Sequence, residues 1–326
     1  MIRQLKLYRG QGFDPHYNLA VEQHLLETVE NNCCILYLWQ NQNTVVIGRN
    51  QNAWKECRTT QLQEDGGHLA RRLSGGGAVF HDLGNLNFTF LVHDEDYDLD
   101  RQLDVISAAC RALGVETVRS GRNDLLAGDR KFSGNAFYHN MGRSYHHGTL
   151  LVDVDMDKLG RYLNPSRAKL AAKGVDSVRS RVVNLKELQP DITVEALAEQ
   201  LGLAFSQVYA LPVEIISSAD LDQSAVEKLY QRNRSWDWLY GRRMPFQFSC
   251  EDRFSWGELR LELQVDRGIV SRAVVYTDAM DWSLSEKLET ALTGCRFMLD
   301  DLCERVTECG IPEQEDIINL LKQQDI

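Results

Sequence analysis

The run RRLSGGGAVFHDLGNLNFTF at residues 71–90 limits what this chain can fold into more than any other stretch. Two arginines lead directly into three consecutive glycines, with short apolar runs on both sides. Residues 69–73 and 78–81 are predicted as strands, which makes Ser74, Gly75, Gly76 and Gly77 the loop between them. Glycine permits positive φ and close backbone approach, so such a loop can leave amide N–H groups facing an anion. Arg71 and Arg72 add fixed charge and planar donors beside it. Taken alone, the three glycines suit a plain hairpin flanked by solvated arginines equally well. No Gly-Lys-Ser/Thr follows and no GxGxxG opens a helix, so this is neither a Walker A loop nor a dinucleotide fingerprint.

The flanking sequence alternates strand and helix signals. Asp14-Pro15 has the form of an N-cap with proline at the first helical position, and Val21, Leu25 and Val29 then share a face to about Glu30. Residues 35–39 and 44–48 are apolar and β-branched, and are predicted as a hairpin about Asn41-Gln42-Asn43. Polar helical sequence fills 54–65. Strands are expected at 4–8, 88–92, 115–119 and 146–152, with a helix through Leu103, Ile106, Cys110 and Leu113 that stops at Gly114. The 115–119 strand delivers Gly121-Arg122-Asn123-Asp124, and a turn at Ala127-Gly128-Asp129 returns the chain through Lys131. Residues 169–181 carry Lys169, Lys173, Arg179 and Arg181 among small residues. That composition suits either a solvated loop or one that closes over an anion. Leu197, Leu201, Phe205 and Val208 mark a long amphipathic helix. The pattern then changes near 241–250. Leu259, Leu261, Leu263 and Val265 alternate, Asp266-Arg267-Gly268 turns the chain into 269–276, and helices at 284–292 and 313–323 follow. Residues 1–245 are expected to form a catalytic domain, and 250–326 a small α/β unit on a linker near Pro245.

A net charge of −11 disfavours a general nucleic-acid binder. The eight cysteines (Cys33, Cys34, Cys57, Cys110, Cys250, Cys295, Cys303 and Cys309) show no CxxC pair and no metal-ligand spacing, which suits reduced thiols in a cytoplasmic protein. No uninterrupted apolar run is long enough to span a bilayer, so no membrane partner is expected.

RRLSGGGAVFHD, SGRNDLLAGDRKFSGNAF, HHGTLL and KLAAKGVDSVRSRV, in this order and spacing, closely resemble the lipoate–protein ligase A family across nearly the whole chain. The resemblance implies an α+β fold: a large mixed-sheet catalytic domain of the biotin/lipoate ligase type with a small α/β C-terminal domain. It implies a two-step reaction. Lipoate and ATP with Mg²⁺ give lipoyl-AMP and pyrophosphate, and the lipoyl group then passes to a lysine of a lipoyl domain. The partners so implied are 2-oxoacid dehydrogenase E2 subunits and the glycine cleavage H protein. By the same resemblance Lys131 is catalytic, touching both the lipoate carboxylate and the α-phosphate. Arg72, Gly77, Ala78, Val79, Phe80, Asn123, Lys173 and Arg181 join it around the nucleotide. Arg72, Ser74, Gly75, Gly76, Gly77, His147, Gly148 and Thr149 join it around lipoate. Asp124 is the candidate Mg²⁺ ligand, a hard carboxylate oxygen beside phosphates. The chain departs from the family pattern at one point: only Ala127-Gly128 links the GRNDLL strand to Asp129.

The chemistry accounts for these residues without the family. Activating a carboxylate with a triphosphate brings anions together, so fixed cations in a dry site must offset them. The rival enzyme, an octanoyl- or lipoyl-transferase, needs a cysteine nucleophile. No cysteine occurs between Arg111 and Ser249. A non-catalytic acyl or nucleotide sensor is the alternative from another class, and retention of Lys131 with both loops argues against it.

Overall fold

The computed structural model describes residues 1–120, 124–164, 182–241, 246–277, 279, 281, 283–324 and 326. By packing, the chain divides into two units. One takes Met1–Gln51 and Gly66–Arg234, the other Asn52–Asp65 and Ser235–Ile326. Among the described residues no helix is long and apolar enough to cross a membrane.

Local chemistry starts the first unit as expected. β1 (Gln4–Arg9) leads to α1 (Pro15–Thr28), where the Asp14 carboxylate accepts the N–H of His16 and Tyr17 and Pro15 occupies the first turn. β2 (Cys33–Trp39), β3 (Thr44–Ile47), β4 (His68–Arg71), β5 (Val79–His81) and β6 (Asn85–His93) follow. Next come β7 (Val118–Ser120), β8 (Asp124–Ala127), β9 (Arg130–Asn140), β10 (Arg143–Leu151) and β11 (Val213–Ile216). Eight of these form one mixed sheet in the order β11-β1-β2-β6-β10-β9-β8-β7, parallel from β11 to β2 and antiparallel beyond. Period-two alternation sorts its side chains. Leu36, Leu38, Phe88, Phe90 and Leu150 face the helices Leu99–Ala112 and Val194–Tyr209, meeting Ile106, Leu201 and Phe205 in an apolar core that also encloses His146 and its partner Gln102. Ile35, Tyr37, Leu91 and Tyr145 face the other way, toward Val21 and Leu25 of α1 and Val226 of the helix Gln223–Asn233.

The expected hairpin of β2 and β3 does not form. All seven residues of β2 are buried, and β1 and β6 take its two edges. β3 is equally buried and has its own neighbours, β4 in parallel and β5 antiparallel, in a separate three-stranded sheet. With both edges of each strand occupied, the polar turn between them (Asn43 at φ 42°) hands the chain from one sheet to the next. The glycine loop likewise does not close a hairpin. It carries the chain from edge strand β4 past the end of β3 to the opposite edge strand β5.

The second unit is built on the antiparallel strands β12 (Phe246–Phe254), β13 (Gly257–Asp266) and β14 (Ile269–Thr277). Leu259, Leu261, Leu263 and Val265 alternate inward as expected, and Arg267 (φ 55°) and Gly268 (φ 73°) make the tight turn. Three helices pack on this face, Leu284–Leu292, Leu299–Glu308 and Gln314–Lys322, where two were expected. Asn52–Asp65 belongs to this unit through Trp54, whose ring lies 5.0 Å from Tyr240, 5.4 Å from Phe297 and 6.5 Å from Trp236. A Cβ on Gly268 would fall 2.9 Å from Trp236 and 3.0 Å from Trp54, so the turn glycine also makes room for the rings.

Candidate active site

Strand register in the first unit lays out a polar floor on the α1 side of the large sheet. One cross-strand row runs Trp39, Asn87, Thr149, Gly134 and Asp124. The next row runs Tyr37, Thr89, His147 and Ala136. Gly148 falls between them and faces the opposite side, where an added Cβ would lie 2.6 Å from the Gly134 carbonyl and 2.8 Å from the Phe88 ring. It is a packing glycine on the face toward the helices Leu99–Ala112 and Val194–Tyr209.

Lys131 comes to this floor through a strand irregularity. The β8–β9 register shifts between Leu125 and Leu126, which pair with Ser133 and Lys131. The extra residue, Phe132, is fully buried in the core, and the reset phase brings Lys131 to the side of Gly134. The short link after Ala127 is the two-residue turn Gly128-Asp129, with Gly128 at φ 65°. The Lys131 carbonyl accepts Val183 N–H at 2.9 Å, which fixes the backbone from the other edge. Nζ lies 2.7 Å from Asp124 Oδ1, both side chains about a fifth exposed. The amine rests over Gly134, where an added Cβ would come within 2.7 Å of Nζ, and Thr149 Oγ1 lies beside it. The ion pair therefore sits in a slot over Gly134 that stays partly open to solvent.

Both arginines shape the glycine loop from inside. Arg71, 3% exposed, donates from Nη1 to the carbonyls of Gly48, Arg49 and Gln51. Arg49 N–H in turn donates to the Ser74 carbonyl at 2.9 Å. Gly48 passes so close beneath that an added Cβ would lie 2.4 Å from the Gly76 carbonyl oxygen. Arg72, 6% exposed, donates from Nε to Ser74 Oγ, from Nη1 to the Val46 carbonyl, and from Nη2 to the carbonyls of Gly75 and Gly77 at 2.7 Å each. Burial pulls its pKa down to about 10, so it stays charged at neutral pH. Among the described residues, the N–H groups of Gly75, Gly76, Gly77 and Ala78 donate to no protein acceptor. Such unpaired backbone donors beside a buried cation are groups that can receive an anion.

His147 sits between this loop and α1, with Nε2 2.7 Å from Ser74 Oγ and Nδ1 2.8 Å from Glu22 Oε1. His81 is held neutral, its pKa pushed down to about 3 by burial and then by Arg72 and His147, and its Nδ1 lies 3.1 Å from Asn41 Nδ2. Phe80 packs its ring on Tyr162 at 5.5 Å, and Val79 and Ala78 are half-buried. All eight cysteines are free thiols, six of them buried, and burial raises the pKa of Cys110 and Cys250 to about 12. Among the described residues no group of three His, Cys, Asp or Glu could hold a metal by itself.

Of the expected site residues, the structure brings Arg72, Ser74, Gly75, Gly76, Gly77 and His147 together at the loop, and Lys131, Asp124 and Thr149 together at the slot. Asn123, Lys173, Arg181, the basic loop at 169–181 and the linker at Pro245 lie outside the described residues. Glu22, Gly48, Asn87, Thr89 and Gly134 join the site without having been expected from the sequence. The alternation in NLNFTF places Asn85, Asn87 and Thr89 on one face and was the available signal for two of them.

Two family models cover most of the chain: the lipoyl protein ligase A/B catalytic domain over residues 14–206 and the bacterial lipoate protein ligase C-terminus over 243–322. Among solved structures, P. falciparum LipL1 in complex with lipoate is 28% identical, with a TM-score of 0.65 over 98% of this chain and 100% of that one. A bipartite lipoate protein ligase from Thermoplasma acidophilum, studied with its E2 lipoyl domain, is 26% identical, with a TM-score of 0.65 over 73% of this chain and 96% of that one. A lipoate-protein ligase A bound with ATP shares the fold at 24% identity and a TM-score of 0.63, over 73% of this chain and 98% of that one. With the glycine loop and the seated lysine both inside the span of the catalytic model, the chain is a member of the lipoyl protein ligase A/B family, with a lipoate protein ligase C-terminal domain.

Proposed function

We propose that the chain is an ATP-dependent lipoate–protein ligase of the cytoplasm that forms lipoyl-AMP and transfers the lipoyl group to a lysine of lipoyl domains. The observation that carries this reading is the seat of Lys131, over Gly134 and against Asp124 on a polar floor, in the same unit as four unfilled loop amides. Lipoate offers a carboxylate and ATP a chain of phosphates, and the two must meet despite like charge. The Lys131 amine lies between the lipoate carboxylate and the α-phosphate, offsets both charges and lines up the attacking oxygen. Carboxylate attack on the α-phosphorus forms the mixed anhydride, and pyrophosphate leaves. The amides of Gly75, Gly76, Gly77 and Ala78 take phosphate oxygens, and the acyl tail lies along the floor by His147 and Thr149. Arg72, Val79, Phe80, Asn123, Lys173 and Arg181 complete the nucleotide side by the family resemblance.

Mg²⁺ is bound by one or two carboxylates together with substrate phosphates, and Asp124 fits that donor requirement. The ion's role is to neutralise phosphate charge. In the second step the neutral amine of the acceptor lysine attacks the lipoyl carbonyl and AMP leaves, so no thioester is needed. The Thermoplasma ligase with its E2 lipoyl domain supports an E2 subunit as acceptor, and the glycine cleavage H protein offers the same kind of lysine. Residues 1–245 house both chemical steps, and 250–326 serve the activation step.

The test is to mix the protein with Mg-ATP and lipoate and to look for pyrophosphate and bound lipoyl-AMP by mass spectrometry. Wild type should give both, and Lys131→Ala should give neither while melting normally. Lipoyl-AMP formed by Lys131→Ala at the wild-type rate would remove the assignment. An acyl adduct trapped on a cysteine would favour the transferase chemistry instead.

A further inference from the structure

Glu22, on α1, is 1% exposed, and the activation chemistry gives a carboxylate at that place nothing to do. Its Oε1 accepts the Thr89 hydroxyl at 2.7 Å, and Thr89 Oγ1 itself accepts Trp39 Nε1–H at 3.1 Å. The same Oε1 lies 2.8 Å from His147 Nδ1. An ionised carboxylate has no hydrogen to give, so the hydrogen on this contact belongs to Nδ1, an assignment made from the network. His147 Nε2 then faces Ser74 Oγ at 2.7 Å, and that oxygen receives Arg72 Nε–H at 3.0 Å. With Arg72 donating to it, the serine hydroxyl is free to donate onward to Nε2. Every donor therefore points one way, from the Arg72 guanidinium through Ser74 and His147 to the Glu22 carboxylate. Two buried charges of opposite sign end the chain, which is how such charges are tolerated away from water.

Arg72 passes this constraint to the loop. Its Nη2 holds the carbonyl oxygens of Gly75 and Gly77, each at 2.7 Å. A trans peptide carries its N–H on the side opposite its carbonyl. Turning the Gly75 carbonyl in toward the guanidinium thus turns the Gly76 N–H out, and the Gly77 carbonyl does the same for Ala78 N–H. Both are among the amides with no protein acceptor. Building on the ligase reading, we infer that Glu22 is a positioning residue which, through His147, Ser74 and Arg72, keeps the Gly76 and Ala78 amides turned outward as the cradle for an ATP phosphate. Arg72 on this view serves the nucleotide by aiming backbone donors.

Two measurements test this. The first is hydrogen–deuterium exchange across residues 72–80 in the ligand-free protein. The second is lipoate-dependent exchange of pyrophosphate into ATP, which gives KM for ATP, KM for lipoate and kcat separately. Glu22→Ala should loosen 72–80 and raise KM for ATP by about tenfold, the low end of what losing an outer partner costs at a metal site, since Glu22 acts through three intervening side chains. KM for lipoate should move much less. Glu22→Gln keeps an acceptor for His147 Nδ1–H and should restore both loop protection and KM for ATP. If Glu22→Ala does not fold, Ser74→Ala cuts the same chain at a smaller side chain and should loosen 72–80 and raise KM for ATP in the same way. The inference is overturned if folded Glu22→Ala keeps wild-type protection and KM for ATP. It is equally overturned if Glu22→Gln is as impaired as Glu22→Ala. Failure of the ligase reading looks different: wild type itself would show no lipoate-dependent exchange, whatever the loop's protection.

Discussion

Replacing Gly134 by alanine adds a single methyl group beneath the Lys131 amine. The new carbon would lie 2.7 Å from Nζ and 3.0 Å from Cε, with Thr149 Oγ1 at 3.8 Å. Non-bonded atoms settle near ~3.5–4.0 Å, so the amine must lift by roughly 1 Å. A displacement of about 1 Å in a group that aligns reacting atoms costs on the order of 100-fold in rate, or ~2.7 kcal/mol of barrier. Stability should move the other way. Gly134 lies inside β9 and has no positive φ, and the obstacle is the flexible end of a side chain. Alanine there also restricts the unfolded chain, which favours the fold by about 0.4–1 kcal/mol. Lipoate-dependent pyrophosphate exchange measured beside a thermal melt separates the two effects. Gly148→Ala is the control, since its methyl group would strike the Gly134 carbonyl and the Phe88 ring on the helix-covered face. That variant should lose stability and activity together. A Gly134→Ala protein with the wild-type exchange rate, or one that melts early, would refute the seating of the Lys131 amine over Gly134.

Trp54→Ala should cost about 3–5 kcal/mol in the second unit, read as a lowered melting transition; an unchanged transition would mean that Asn52–Asp65 is not part of that core. His81 and His146 are held at about 3, chiefly by burial, against an ordinary value of 6.5. Above pH 6.5 neither state binds a proton there. Below it the unfolded chain takes up protons that the fold refuses, so stability should fall by about 1.4 kcal/mol per pH unit for each histidine until pH nears 3. Denaturant titrations at pH 7, 6 and 5 check this, and a flat profile would refute it. Single Cys→Ser variants should keep ligation near normal, apart from packing losses at Cys110, because the activated carboxylate is carried by AMP and no thioester is needed. Truncation after Gln247 should impair lipoyl-AMP formation more than transfer from supplied lipoyl-AMP, and equal losses in the two half-reactions would remove that division of labour.

Features set by local chemistry were legible in the sequence. Asp14-Pro15 caps α1, Gly128 turns β8 into β9, and Arg267-Gly268 turns β13 into β14, because each needs only its own few residues. What depended on distant partners was not legible. β2 and β3 carry the pattern of a hairpin, and nothing within residues 33–47 announces that β1, β6, β4 and β5 will claim their edges. The same limit hid Glu22. A glutamate in an amphipathic helix reads as solvated, and the histidine that gives it a purpose lies 125 positions on. The glycine loop stood out as one that could face an anion, but its shape rests on Arg72 donating to carbonyls of its own loop, and residue type alone does not prescribe that arrangement.

The splicing of Asn52–Asp65 into the second unit has a consequence for biosynthesis. This segment leaves the ribosome between β3 and β4, yet the partners of Trp54 at Trp236, Tyr240 and Phe297 follow some 170 residues or more later. At about 5–20 residues per second, roughly 10–35 s pass with the Trp54 ring unclaimed on the nascent chain. The first unit can complete its sheets in that interval only by holding this segment out as an open loop between two of its strands. Slowing translation after Arg234 should therefore lengthen the exposure of Trp54 and raise the aggregated fraction.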